Sequence, residues 1–112
     1  MGELEEIIGQ IEVQNQQLQS IMLQKQALMI QDREIENALE ELKKTDKEVF
    51  KSVGPILVKT EKESISKELE ETREEIELKI KTLEKQEKRL KERLKENQEK
   101  FQSLVPRGGE GG

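Results

Sequence analysis

Apolar residues in the first part of this chain recur in alternating steps of three and four. Leu4, Ile7, Ile11, Leu18, Ile21, Leu28, Ile35, Leu39 and Leu42 fill nine of twelve consecutive heptad slots, and Gln14, Lys25 and Asp32 fill the other three. That spacing puts all twelve on one helix face, and a heptad sustained so long predicts supercoiling against another helix. No proline interrupts the stretch, and Gly9 is its one weak point. Helix is therefore expected over residues 3–45. The seam returns over residues 63–104. There Leu69, Arg73, Ile76, Ile80, Leu83, Glu87, Leu90, Leu94, Asn97, Phe101 and Leu104 occupy successive slots, eight of the eleven apolar. Ser64 or Ser66 is expected to cap this second helix.

Between the helices, over residues 46–62, the period changes to two. Val49-Phe50-Lys51-Ser52-Val53 and Ile56-Leu57-Val58-Lys59-Thr60 are β-branched or aromatic runs, separated by Gly54-Pro55, a pair that ends a helix and favours a turn. The segment reads as a β-hairpin. Two short strands alone are marginal in water, so Val49, Val53, Ile56 and Val58 need strands from other chains. An oligomer follows. A hairpin also reverses the chain, so the second helix should return antiparallel beside the first. The polar slots give a check: Lys25 and Glu87, and Gln14 and Asn97, are mirrored about Gly54-Pro55. Their spacing makes each pair near neighbours rather than one layer of the seam, and the register stays open.

Composition narrows the function classes. Only 31% of the 112 residues are hydrophobic and 40% are charged, a balance that suits disorder or long helices, and the heptads decide for helices. Net charge is −5, and residues 61–105 hold 12 Lys/Arg against 13 Asp/Glu, so no basic face invites nucleic acid. The chain has no Cys and no His, which removes the usual nucleophile, general base and metal ligands. No glycine-rich phosphate loop appears, and a two-helix hairpin offers no pocket to desolvate a reacting group. The reading is no enzyme, no cofactor and no metal. No apolar run is long enough to span a membrane and no signal peptide opens the chain, so the expected address is cytoplasmic. Residues 105–112, Val105-Pro106-Arg107-Gly108-Gly109-Glu110-Gly111-Gly112, are expected to form a flexible tail. Leu104-Val105-Pro106-Arg107-Gly108 resembles a thrombin cleavage sequence, so this end is either native or appended.

The segment Glu48-Val49-Phe50-Lys51-Ser52-Val53-Gly54-Pro55-Ile56-Leu57-Val58-Lys59 resembles the strand–Gly–strand segment of prefoldin β-type subunits. Gln17-Leu18-Gln19 and Gln24-Lys25-Gln26 are similar to that family's Gln-rich first helix, and Ala38-Leu39-Glu40-Glu41-Leu42 to its closing turn. The resemblance covers residues 3–104, and the hairpin carries its specificity. A single hairpin matches the β type, because α-type chains carry two. The fold expected is mainly α: a long antiparallel two-helix coiled coil joined by one β-hairpin. The resemblance implies a hetero-hexamer of two α and four β subunits, in which the hairpins pool into a shared β-barrel body and the coiled coils surround a cavity. A helix of this length would make that cavity roughly 60 Å deep, at 1.5 Å per residue.

The resemblance implies an ATP-independent holding chaperone that takes unfolded clients at the coiled-coil tips and passes them to a group II chaperonin. Leu4, Ile7, Ile8, Ile11, Phe101, Leu104 and Val105 cluster at the chain ends, where helices lack backbone partners. They either close the coiled coil or meet clients, and Ile8 and Val105, off the seam, are expected to be exposed. Val49, Phe50, Val53, Ile56, Leu57 and Val58 are the oligomerisation residues. Met22, Leu23, Met29 and Ile30 form a surplus on the first helix, lining the cavity or packing against the body or a neighbouring arm, and the second helix is read as having none. Lys88, Arg89, Lys91, Arg93, Lys95 and Lys100 are a candidate chaperonin-docking surface by resemblance, against a reading as a solvated face balanced by Glu87, Glu92, Glu96 and Glu99. The competing class is a structural coiled-coil scaffold, which accounts for the heptads and leaves the hairpin without a task.

Overall fold

The heptad slots become the covered positions. In the computed structural model, which describes residues 2–105, α1 (Glu3–Lys44) is followed by β1 (Val49–Val53), β2 (Ile56–Thr60) and α2 (Lys62–Leu104). All twelve slots of α1 are buried or half-buried, and Ala38 is its one other residue that is not exposed. On α2 ten of the eleven slots are covered and Leu104, at 38%, is exposed. Acidic Glu3, Glu5 and Glu6 in the first turn of α1, and Lys43 and Lys44 in its last, complement the helix dipole. Among the described residues no large side chain is fully buried. That is what a two-helix seam permits, because a residue touched from one side keeps a solvent-facing flank.

The described residues fall into two compact units. One joins α1 as far as Lys25 to α2 from Thr82 onward. Its buried apolar residues are Ile7 and Ile21, and Asn97 is buried with them. The helices run antiparallel in this unit, since Gln14 meets Asn97 while the later Lys25 meets the earlier Glu87.

The other unit, Gln26–Lys81, holds the end of α1, both strands and the start of α2, with Ile76 as its buried apolar residue. β1 and β2 pair antiparallel from Val49↔Thr60 to Val53↔Ile56, leaving a two-residue turn. Gly54 sits first in that turn with φ of 56°, and Pro55 second with its ring-locked negative φ. This is the sign pattern of a type II′ turn, whose twist suits a hairpin and whose first position favours glycine. Lys51 Nζ donates to Glu68 Oε1 at 2.6 Å, and Lys62 Nζ donates to the Thr45 carbonyl at 3.1 Å, tying the strands and the start of α2 to their surroundings.

Two expectations need correction. α2 begins at Lys62, ahead of both serines, so Ser64 and Ser66 lie inside its first turns and neither is the cap. Val105, expected to be exposed, is half-buried. Its backbone N–H donates to the Phe101 carbonyl at 3.1 Å, which carries the last helical turn round to it. The tail expected beyond it, Pro106 to Gly112, lies outside the described residues.

Candidate functional site

Three polar pairs punctuate the seam, and each is made. Asn97 Nδ2 donates to Gln14 Oε1 at 3.1 Å, with Asn97 only 8% exposed. Lys25 Nζ lies 3.4 Å from Glu87 Oε1 and 3.7 Å from Glu84 Oε2. In the second unit Arg73 Nε donates to Asp32 Oδ1 at 3.0 Å, and its Nη2 reaches Glu36 Oε2 at 3.4 Å. The hydrogen bond to Asp32, with the nearby carboxylates, raises the Arg73 guanidinium further above its already high pKa against a smaller opposing cost of burial. The first two pairs are thus in direct side-chain contact, in keeping with the near-neighbour placement expected of them. The third joins residues that the mirror pattern did not pair.

Both terminal segments of the described chain belong to the first unit, so Leu4, Ile7, Ile8 and Ile11 share it with Phe101, Leu104 and Val105. Ile7 is buried; Leu4, Ile11, Phe101 and Val105 are half-buried; Ile8 and Leu104 are exposed. The group is therefore a partly covered apolar end in which the same residues pack and remain reachable.

The hairpin is much more open. Val49, Val53, Ile56 and Val58 fall on one face by the register, and Phe50 and Leu57 on the other. Exposure runs from 44% at Val58 to 72% at Leu57, and Val49 alone of the six is half-buried. The sheet has two strands only, so an edge of each has no strand beside it among the described residues. Apolar faces and open edges together are the features of a surface able to pair with further strands.

The basic residues of α2 separate into two rows. Steps of three and four put Lys88, Lys91 and Lys95 along one side, and Arg89, Arg93 and Lys100 along another. All six are exposed. Lys91 lies 3.9 Å from Glu87, a carboxylate already engaged by Lys25. Arg89 and Arg93 flank a shallow groove with Gln17, Ser20, Ile21, Gln86 and Leu90, whose wall carries no carboxylate.

Off the seam, Met22, Leu23, Met29 and Ile30 are all exposed. Two further residues belong with them. Val13 on α1 is exposed, and Leu78 on α2 is 64% exposed, so the second helix does carry a surplus apolar residue. The signal for both was available, since each sits between heptad slots where a charged residue is usual. Among the described residues no cluster of three or more potential metal ligands occurs, and no helix is long and apolar enough to cross a membrane.

Comparison with known proteins adds a consistent set of likenesses. A family model described as "Prefoldin subunit" matches residues 5–107. The curated prefoldin subunit beta of Archaeoglobus fulgidus is 45% identical over 111 residues, covering 94% of this chain and 96% of that protein. The prefoldin subunit beta of Pyrococcus furiosus is 38% identical over 63 residues, 54% of each chain. Among solved structures, the prefoldin beta subunit from Thermococcus strain KS-1 superposes with a TM-score of 0.85 at 37% identity, covering 95% of this chain and 96% of that one.

Proposed function

We propose, from the premise that this chain belongs to the prefoldin family as an archaeal-type β subunit, that it is one arm of an ATP-independent holding chaperone acting in the cytoplasm. It is a non-catalytic chaperone component, and its action is to hold rather than to react. In this reading four such chains and two α-type subunits pool their hairpins into a β-barrel body, which pairs the open strand edges and covers the apolar faces. Unfolded proteins are taken at the apolar ends formed by Leu4, Ile7, Ile8, Ile11, Phe101, Leu104 and Val105. Each contact is weak, and several arms acting on one client combine through effective concentration. Clients then pass to a group II chaperonin, with Lys88, Arg89, Lys91, Arg93, Lys95 and Lys100 as the docking residues.

The observation that carries the assembly is the hairpin: six apolar side chains, five of them exposed, on a sheet of two strands. Mixing the chain with an α-type subunit should give a hexamer by native mass spectrometry that suppresses aggregation of a denatured protein without ATP. An extended dimer that ignores the α subunit would favour the scaffold reading instead. Removing residues 1–11 and 101–112 together should preserve assembly and sharply reduce client protection. Undiminished protection would move capture to Met22, Leu23, Met29 and Ile30.

A further inference from the structure

Gly9 is the only glycine within α1. It is exposed, its φ is not in the left-handed region, and a Cβ built on it would meet nothing within 4 Å. Neither packing nor backbone conformation asks for glycine here. What glycine does change is the local stability of the helix, since it loses more backbone freedom on ordering than any other residue. The turns on either side are better provided for. Glu3, Glu5 and Glu6 support the first turn through the dipole, and the Glu6 N–H reaches back to the Gly2 carbonyl at 3.2 Å. Further along, the buried hydrogen bond from Asn97 to Gln14 pins the two helices together. A weak point is thus bracketed by a supported helix start and a pinned polar layer, and the residues between are Ile7, Ile8 and Ile11.

From this arrangement we infer that Gly9 is the yielding point at which residues 3–13 open ahead of the rest of α1, with opening halted at the Gln14–Asn97 pair. The opened segment is the state in which Leu4, Ile7 and Ile11 meet an apolar client segment. Closed, Ile7 is buried and unavailable; open, the seam it occupies is presented whole. The inference rests on the reading of the apolar end as the capture site, and it adds the step that regulates access.

Hydrogen exchange followed by mass spectrometry on the full chain, alone and mixed with an α-type subunit, reads the opening. Suppression of aggregation of a chemically denatured client reads its use. Gly9→Ala should slow exchange over residues 5–13 about fivefold, the about 1 kcal/mol by which alanine exceeds glycine in a helix interior. Exchange over residues 15–24 should not change, and client holding should weaken. Gly9→Ser, with intermediate helix propensity, should fall between on both measurements. Unchanged exchange over residues 5–13, or equal slowing beyond Gln14, overturns the inference whatever the holding assay gives. Slowed exchange with full holding overturns it too, provided the double truncation of residues 1–11 and 101–112 still abolishes holding. If the truncated protein also holds clients fully, the capture site itself is misplaced and the inference falls with it.

Discussion

Asn97 is an amide inside an apolar seam, tolerated because Gln14 accepts its N–H. Asn97→Ala leaves the Gln14 carbonyl oxygen without its donor at a covered position, and should cost about 1–3 kcal/mol. Replacing both residues by leucine should recover most of that loss, because an apolar pair in a seam is at least as stable as a satisfied polar one. It should also blur which residue faces which. Denaturation midpoints of the single and double variants, with cysteine pairs trapping alternative registers, check both halves; an unchanged midpoint for Asn97→Ala would contradict the first. The mirror placement of Gln14 with Asn97, and of Lys25 with Glu87, was legible in the sequence. Their direct contact was not, because heptad slots locate backbones while these side chains reach along the seam before they meet. Arg73 escaped for the same reason. Its side chain is long enough to engage Asp32 and Glu36 from a slot that no symmetry argument picked out.

At the scale of elements, α1 and α2 were readable because each seam residue carries its own periodic signal and needs no outside contact to reveal it. The hairpin was readable for a different reason. Gly54 at φ of 56° and Pro55 leave the chain little choice but a tight reversal between two β-branched runs. The start of α2 was placed within one residue, but its cap was not, because the helix opens at Lys62, before either serine. Lys62 is held by the Thr45 carbonyl and Lys51 by Glu68, contacts between residues 17 apart in sequence that local cap rules do not see. The faces of the hairpin set a test of their own. Val53 and Val58 lie on the same face, so Val53→Asp or Val58→Asp should leave the helical circular dichroism nearly intact and abolish assembly with the α subunit. A carboxylate forced unpaired into a strand core costs several kcal/mol. Normal hexamers from either variant, seen by native mass spectrometry, would remove the hairpin from the shared barrel.

For the whole molecule, apolar and charged surfaces imply different responses to salt. Client capture by apolar ends should survive moderate ionic strength, since burial of apolar surface is not screened. Docking through the two basic rows of α2 should weaken, because exposed charges more than about 8–10 Å apart are largely screened at physiological salt. Client aggregation and chaperonin binding, followed side by side as salt rises, should therefore separate, with chaperonin binding failing first. A common decline would mean that one charged surface serves both roles. The basic residues of α2 were plain in the sequence, whereas the burial of Ile7 and the partial cover over Val105 depend on packing that no composition records. The two open strand edges carry a further consequence, one of supply. In the proposed assembly the hairpin is completed by other chains, so its order would depend on how much of those chains is present, and its stability would be a matter of mass action rather than a fixed property of the molecule. On that assembly, a cell that made this subunit ahead of its partners would accumulate live sheet edges, each a template for any stray strand. Balanced and simultaneous synthesis is then as much a part of keeping the protein folded as the heptads are.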